Sequence, residues 1–210
     1  MIGINVLGLF VISNSTFTNN TLGQALDNFV VDAPWPYNYD NYVYWQKSGG
    51  NVLLQYDDTV TEDDIWHGLK INHSNFSYGK NYQYCDNSEW HQGCEGAGVA
   101  IFIKPISPVP LPKLYIVLEE SVFNDNIAQQ GAHLLVHHMQ DPAAEGFKQT
   151  VNVYVQNCTF RDGRVLEFGG AIYIYNGYPT ASRDYIRIVN TKFINNSAQG
   201  GGGIFLSYNV

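Results

Sequence analysis

Asp125 and Asp162 each stand two residues after a phenylalanine, Phe123 and Phe160, with Arg161 beside the second carboxylate. If the two phenylalanines occupy equivalent places in a repeat, the carboxylates are neighbours. A pair near 5 Å is the geometry with which a retaining glycosidase works, and with carbonyl help it could hold Ca²⁺. Asp is also a favoured turn residue, and the turn is the simpler reading. His133, His137 and His138 look like metal ligands. Residues four apart in a strand are about 13 Å apart, so His133 and His137 cannot share an ion. Their expected stacked neighbours, Ala171 and Tyr175, offer no ligand of the usual kind. Asp57 to Asp64 carries five acids without the spacing of a dedicated calcium loop; it reads as a solvated loop, with weak Ca²⁺ binding as the alternative. His73 and Glu120 pair as neighbouring surface charges. No metal site and no cofactor are expected.

Aromatic residues cluster in two stretches. The first carries Trp35, Tyr37, Tyr39, Tyr42, Tyr44 and Trp45, the second Tyr78, Tyr82, Tyr84 and Trp90. Tyr and Trp are enriched in recognition surfaces. Trp35, Tyr37, Tyr39, Trp45, Tyr84 and Trp90 are therefore candidate binding residues for a carbohydrate or a protein. The competing reading is a local core covering Leu53, Leu135, Tyr173 and Phe205. Cys85 and Cys94 flank a loop and could close it as a disulfide. Cys158 lies in a strand pattern and reads as a small buried hydrophobe. Six N-x-[ST] sequons occur, at Asn14, Asn19, Asn72, Asn75, Asn157 and Asn195. They fit glycosylation of a secreted chain and equally a turn chemistry that wants Asn, Ser and Thr at these offsets.

The elements that position these residues come from a repeat. Phe17, Phe76, Phe123, Phe160 and Phe193 anchor five copies. Two residues before each stands Ser15, Ser74, Ser121, Cys158 or Thr191. Three before that is Ile12, Ile71, Leu118, Val155 or Ile188, and two earlier Phe10, Leu69, Ile116, Val153 or Ile186. A period of two within each pair marks a strand with one buried face; the three-residue step marks a bend. Three residues after the Phe come Asn20, Gly79, Asn126, Gly163 and Asn196, read as the left-handed turn position. A glycine step follows, then a third strand with inward pairs Val52/Leu54, Val99/Ile101, Leu134/Val136, Ile172/Ile174 and Ile204/Leu206. Ile101/Ile103 is an equally good register for the second copy. One copy cannot bury its inner face alone; stacked copies can. The expected fold is all-β, a parallel β-helix (solenoid) of about five turns, right-handed by the general rule for parallel crossovers rather than by spacing. It forms a single domain over residues 1–210 with aromatic-rich insertions at about 24–48 and 77–95.

The pairing of F-x-x-N (Phe17–Asn20, Phe123–Asn126, Phe193–Asn196) with G-G-A-I (Gly169–Ile172) resembles the repeat of chlamydial polymorphic membrane proteins. It is also similar to right-handed β-helix repeat proteins at the surface of sponges and other invertebrates. The resemblance spans nearly the whole chain. It weakens in the first two copies, where Gly79 replaces Asn and Gly-Ala-Gly (96–98) replaces Gly-Gly-Ala. It implies the handedness and an extracellular or surface-displayed ectodomain used in adhesion or recognition.

Bulk properties narrow the classes. A net charge of −8 with no basic stripe argues against nucleic acid. No run of 18 apolar residues is present, so no membrane-spanning helix is expected. Met1 to Ile12 is apolar but lacks the basic start and cleavage site of a signal peptide, and its end fits the repeat. Because the pattern runs on to Val210, a longer chain with flanking turns is expected. The first functional expectation is a non-catalytic recognition, adhesion or scaffold domain. The alternative is a polysaccharide-active hydrolase or lyase binding glycan along the rod, an inference from fold alone.

Overall fold

The computed structural model describes residues 2–3, 9–22, 51–57, 67–81, 96–104, 114–138, 151–176 and 185–208. These form an all-β, solenoid-like arrangement of repeating parallel strand modules. Strands numbered in chain order fall into four parallel sheets. The first holds β2 (Leu9–Ser13), β6 (His67–Asn72), β10 (Leu114–Glu119), β14 (Val151–Gln156) and β18 (Tyr185–Val189). The second holds β3 (Thr16–Thr18), β7 (Asn75–Ser77), β11 (Val122–Asn124), β15 (Thr159–Arg161) and β19 (Lys192–Ile194). The third holds the two-residue strands β4 (Thr21–Leu22), β8 (Lys80–Asn81), β12 (Ile127–Ala128) and β16 (Arg164–Val165). The fourth holds β1 (Ile2–Gly3), β5 (Val52–Asp57), β9 (Val99–Lys104), β13 (Leu134–His138), β17 (Ile172–Asn176) and β20 (Ile204–Tyr208).

The register is the one the columns require. Phe17, Phe76, Phe123, Phe160 and Phe193 are successive Cα partners. So are Phe10, Leu69, Ile116, Val153 and Ile186. In the fourth sheet Val52, Val99, Leu134, Ile172 and Ile204 align. That selects Val99/Ile101 over Ile101/Ile103. The phenylalanine rings stack with centroids 4.7 to 5.3 Å apart, close to the spacing of hydrogen-bonded strands. The first, second and fourth sheets share one core, in which Phe76, Phe123 and Phe160 are fully buried. Burying each such ring is worth about 1.5–3 kcal/mol.

Three expectations are corrected. Four of the five repeats contribute a fourth short strand, too brief to show a period, and in the fifth Ser197 makes only an isolated bridge to Arg164. The left-handed residues are also not the Asn/Gly column. They are the residues just before it, Asn19, Tyr78, Asp125, Asp162 and Asn195, and a second set at the bend between the first two strands, Asn14, His73, Glu120, Asn157 and Asn190. Asn and Asp are enriched there because their side chains tolerate positive φ. Ser77 to Asn81, assigned above to the second insertion, continues the stack through β7 and β8.

The Asn/Gly column faces inward for a different reason: it carries a buried polar ladder. Asn20 Nδ2 donates to Asn51 Oδ1 at 2.6 Å, and Asn51 Nδ2 to Asn126 Oδ1 at 3.4 Å. Asn126 Nδ2 donates to His133 Nδ1 at 2.8 Å, and His133 Nε2 to Asn196 Oδ1 at 3.1 Å. Asn51, Asn126 and His133 are fully buried. The glycines make the room: a Cβ on Gly79 would lie 2.7 Å from Asn51 Nδ2 and 2.8 Å from Asn126 Oδ1. Layers with large polar groups therefore alternate with glycine layers. A buried amide without partners costs about 1–3 kcal/mol, so the ladder is stable only when every member is satisfied.

A second polar column runs beside it. Ser74 Oγ accepts the Ser15 N–H at 3.1 Å, Ser121 Oγ accepts the Ser74 N–H at 3.1 Å, and Thr191 Oγ1 accepts the Cys158 N–H at 3.4 Å. Each hydroxyl also donates to the carbonyl two residues earlier, as Ser121 Oγ does to Glu119 O at 2.7 Å. Cys158 takes a hydroxyl's place and its thiol donates to Gln156 O at 3.3 Å. It is a free, buried thiol, as expected from its strand pattern.

Candidate functional site

The candidate surface lies on the outer face of the fourth sheet. Alternation points one set of residues out of the core, and here that set is apolar. Leu135, Tyr173 and Phe205 are Cα partners, as are His137 and Tyr175. Ala100, Leu135 and Tyr173 form a second buried cluster, with Phe168, Tyr175 and Phe205 packed on it half-buried. Phe168 stacks on Phe205 at 4.5 Å between centroids, and His137 meets Tyr175 edge-on at 4.7 Å.

Part of the cover comes from the glycine step before each strand. Gly96, Gly131, Gly169 and Gly201 all have positive φ, from 57° to 69°. A Cβ on Gly169 would lie 2.7 Å from the Tyr173 Cβ, and one on Gly131 3.2 Å from the same atom. Glycine is needed both for the turn and for the close approach. At the same corner, Gln129 Nε2 and Gln130 Nε2 each donate to one oxygen of Glu167 at 2.5 Å. Leu166 next to it is 63% exposed. The corner thus sets the rings of Phe168 and Phe205 beside a carboxylate that two buried carboxamides hold.

The other candidates are placed as follows. Asp125 and Asp162 occupy one left-handed column in adjacent layers, φ 49° and 56°, and the Asp125 N–H donates to Arg161 O at 3.1 Å. Strand spacing then sets their backbones about 4.8 Å apart. The Arg161 guanidinium is engaged by Asn124, Nε to Oδ1 at 2.8 Å. His73 and Glu120 meet as expected, Nδ1 to Oε2 at 3.0 Å, with both side chains about half exposed; the contact is an ion pair when the imidazole is protonated. Such a pair contributes little to stability. His133 faces the polar ladder, while His137 sits on Tyr175. Among the described residues, no three His, Cys, Asp or Glu side chains converge on one point.

Of the sequons, Asn14, Asn19, Asn157 and Asn195 are exposed at left-handed corners. Asn72 Oδ1 is buried, and Asn75 Oδ1 accepts the Ser77 hydroxyl at 2.9 Å. Trp35, Tyr37, Tyr39, Trp45, Tyr84 and Trp90 lie outside the described residues, as do Cys85, Cys94, residues 58–64 and residues 105–112.

Sequence reasoning missed the Gln129–Glu167–Gln130 clamp, which has no period to reveal it. It also missed the ladder, whose signal was present. The Asn-Gly-Asn-Gly-Asn alternation three residues after each Phe, with Asn51 and His133 just before their strands, is that signal. No protein-family model, no curated protein and no solved structure matches this chain.

Proposed function

We propose that the chain is a right-handed parallel β-helix of about five turns. It acts as a non-catalytic recognition domain outside the cell or at its surface, binding carbohydrate through the outer face of the fourth sheet. The observation that carries this reading is the aromatic strip of Phe168, Tyr173, Tyr175 and Phe205 beside Glu167, Gln129 and Gln130. The segments 23–50 and 82–95, which hold the aromatic insertions, immediately precede β5 and β9 of that same sheet. The handedness follows the general rule for parallel crossovers and the repeat resemblance. Exposure of Asn14, Asn19, Asn157 and Asn195 supports a glycosylated, secreted chain.

A glycan array followed by calorimetry of the intact chain tests the binding. Saturable binding weakened at least tenfold by Tyr175→Ala or Phe205→Ala, with folding retained, supports the reading. A blank array together with capture of a protein partner by the same face replaces carbohydrate with protein as the ligand. The second reading, a polysaccharide-active enzyme, rests on the stacked Asp125 and Asp162 beside Arg161. Cleavage of any glycan that is abolished by Asp162→Asn would favour it over the first.

A further inference from the structure

The His133 imidazole has two partners that fix its protonation state. Asn126 Oδ1 already accepts the Gly79 N–H at 2.8 Å, and Asn126 Nδ2 donates to Phe76 O at 3.0 Å. The carboxamide therefore presents its remaining N–H to His133 Nδ1 at 2.8 Å, and Nδ1 must be bare. On the other side Asn196 Oδ1 accepts the Gly163 N–H at 2.9 Å and receives His133 Nε2–H at 3.1 Å. Asn196 Nδ2 donates to Phe160 O at 2.9 Å. The ring is wedged between Phe123 and Phe160, with centroids 6.3 and 5.9 Å away. Assigned from these partners, it is the neutral Nε2–H tautomer.

A proton on Nδ1 would set donor against donor. Flipping Asn126 would not repair this, because its NH₂ would then face the Gly79 N–H and Asn51 Nδ2. A backbone N–H cannot turn over, so the mismatch has no local remedy. We propose that His133 is an acid-sensitive latch. Neutral, it ties the layer of Phe123 to the layer of Phe193 across the glycine layer of Phe160; protonated, it lets the layers beyond Phe123 separate.

The surrounding charges do not offset this. Burial is the largest influence on the ring and lowers its pKa from 6.5 to about 4. Opposing it, with smaller effect, are the hydrogen bond to Asn196, the Arg161 backbone carbonyl and the Asp162 carboxylate. The half-buried carboxylates at this corner are Asp125 and Asp162. Asn126, Asn196, Gly163 and the two phenylalanines bring no charge. With the closed-state pKa lowered, the open state binds more protons between pH 6.5 and 4. The latch is fully closed above pH 6.5 and weakens as pH falls towards 4. Each layer of a stacked repeat is held chiefly by its neighbours, so the opening is local.

Amide hydrogen exchange of the full chain, corrected for intrinsic rates, tests this. Between pH 7 and pH 5, protection at Gly163 and Ser197 is expected to fall by about twentyfold, while β6 and β10 keep theirs. In His133→Gln, which cannot titrate, the acid loss is expected to vanish. Should that variant fail to fold, the ring ¹⁵N shifts of His133 in the unaltered chain decide: a neutral Nε2–H ring at pH 5.5 supports the latch. A ring that titrates near 6.5 without loss of protection overturns it. An equal acid loss in His133→Gln overturns it too, as does a uniform loss that includes β6 and β10.

Discussion

Gly163 and His133 fit each other across one layer: a β-carbon on Gly163 would stand 2.6 Å from His133 Nε2. It would also press on the Gly170 carbonyl oxygen and lie 2.9 Å from Asn196 Oδ1. The alternation of glycine with asparagine is thus a packing rule rather than a turn rule. Gly163→Ala should cost about 1–3 kcal/mol, as overpacking does. Gly203, whose added Cβ would meet nothing nearer than 3.9 Å, should accept alanine nearly unchanged. Urea unfolding of the two variants compares them; equal stabilities would mean that the glycine layers are not packed against the ladder.

Asn126 satisfies four groups at once: the Gly79 N–H, the Phe76 carbonyl, Asn51 Nδ2 and His133 Nδ1. Asn126→Ala orphans several of them in a dry interior, at about 1–3 kcal/mol for each group left unpaired. The expected result is a chain that is unfolded or markedly destabilised. Near-native thermal stability would show that the ladder contributes little.

Phe160 is fully buried between Phe123 and Phe193, whereas Phe193 is only half-buried. Phe160→Ala should lose about 3–5 kcal/mol. Phe193→Ala should lose clearly less, because less surface leaves water when it folds. Denaturation midpoints of both variants give the ordering, and the reverse order would contradict the burial gradient along the column.

Cys158 stands where Ser15, Ser74, Ser121 and Thr191 stand in other layers. A hydroxyl there would make the same two contacts, so Cys158→Ser should shift stability by no more than about 1 kcal/mol. Burial also pushes the thiol pKa up, which disfavours the reactive thiolate. Alkylation followed by peptide mapping should find Cys158 unmodified in the native chain and modified after denaturation. Fast native labelling would show that the core opens readily.

The strand columns were legible in the sequence because stacking forces identical chemistry onto each position of a repeat. Phe, the small residue before it and the aliphatic pairs recur at fixed offsets, and parallel register converts each offset into a contact. Offsets cannot show which residue carries the strained backbone. Asn20 and Asn19 are adjacent, and only the folded chain reveals that Asn19 turns left-handed while Asn20 reaches the buried Asn51. Tyr78 and Glu120 adopt the same left-handed shape without the side chain that usually announces it. The polar ladder needed the tertiary structure for a further reason. Asn51 comes from the first repeat and Asn126 and His133 from two corners of the third, and a hydrogen-bond chain running on to Asn196 of the fifth depends on angles that no linear spacing encodes. The same holds for Phe168, whose packing on Tyr173 and Phe205, residues that alternation already set on the outer face, only the folded chain reveals.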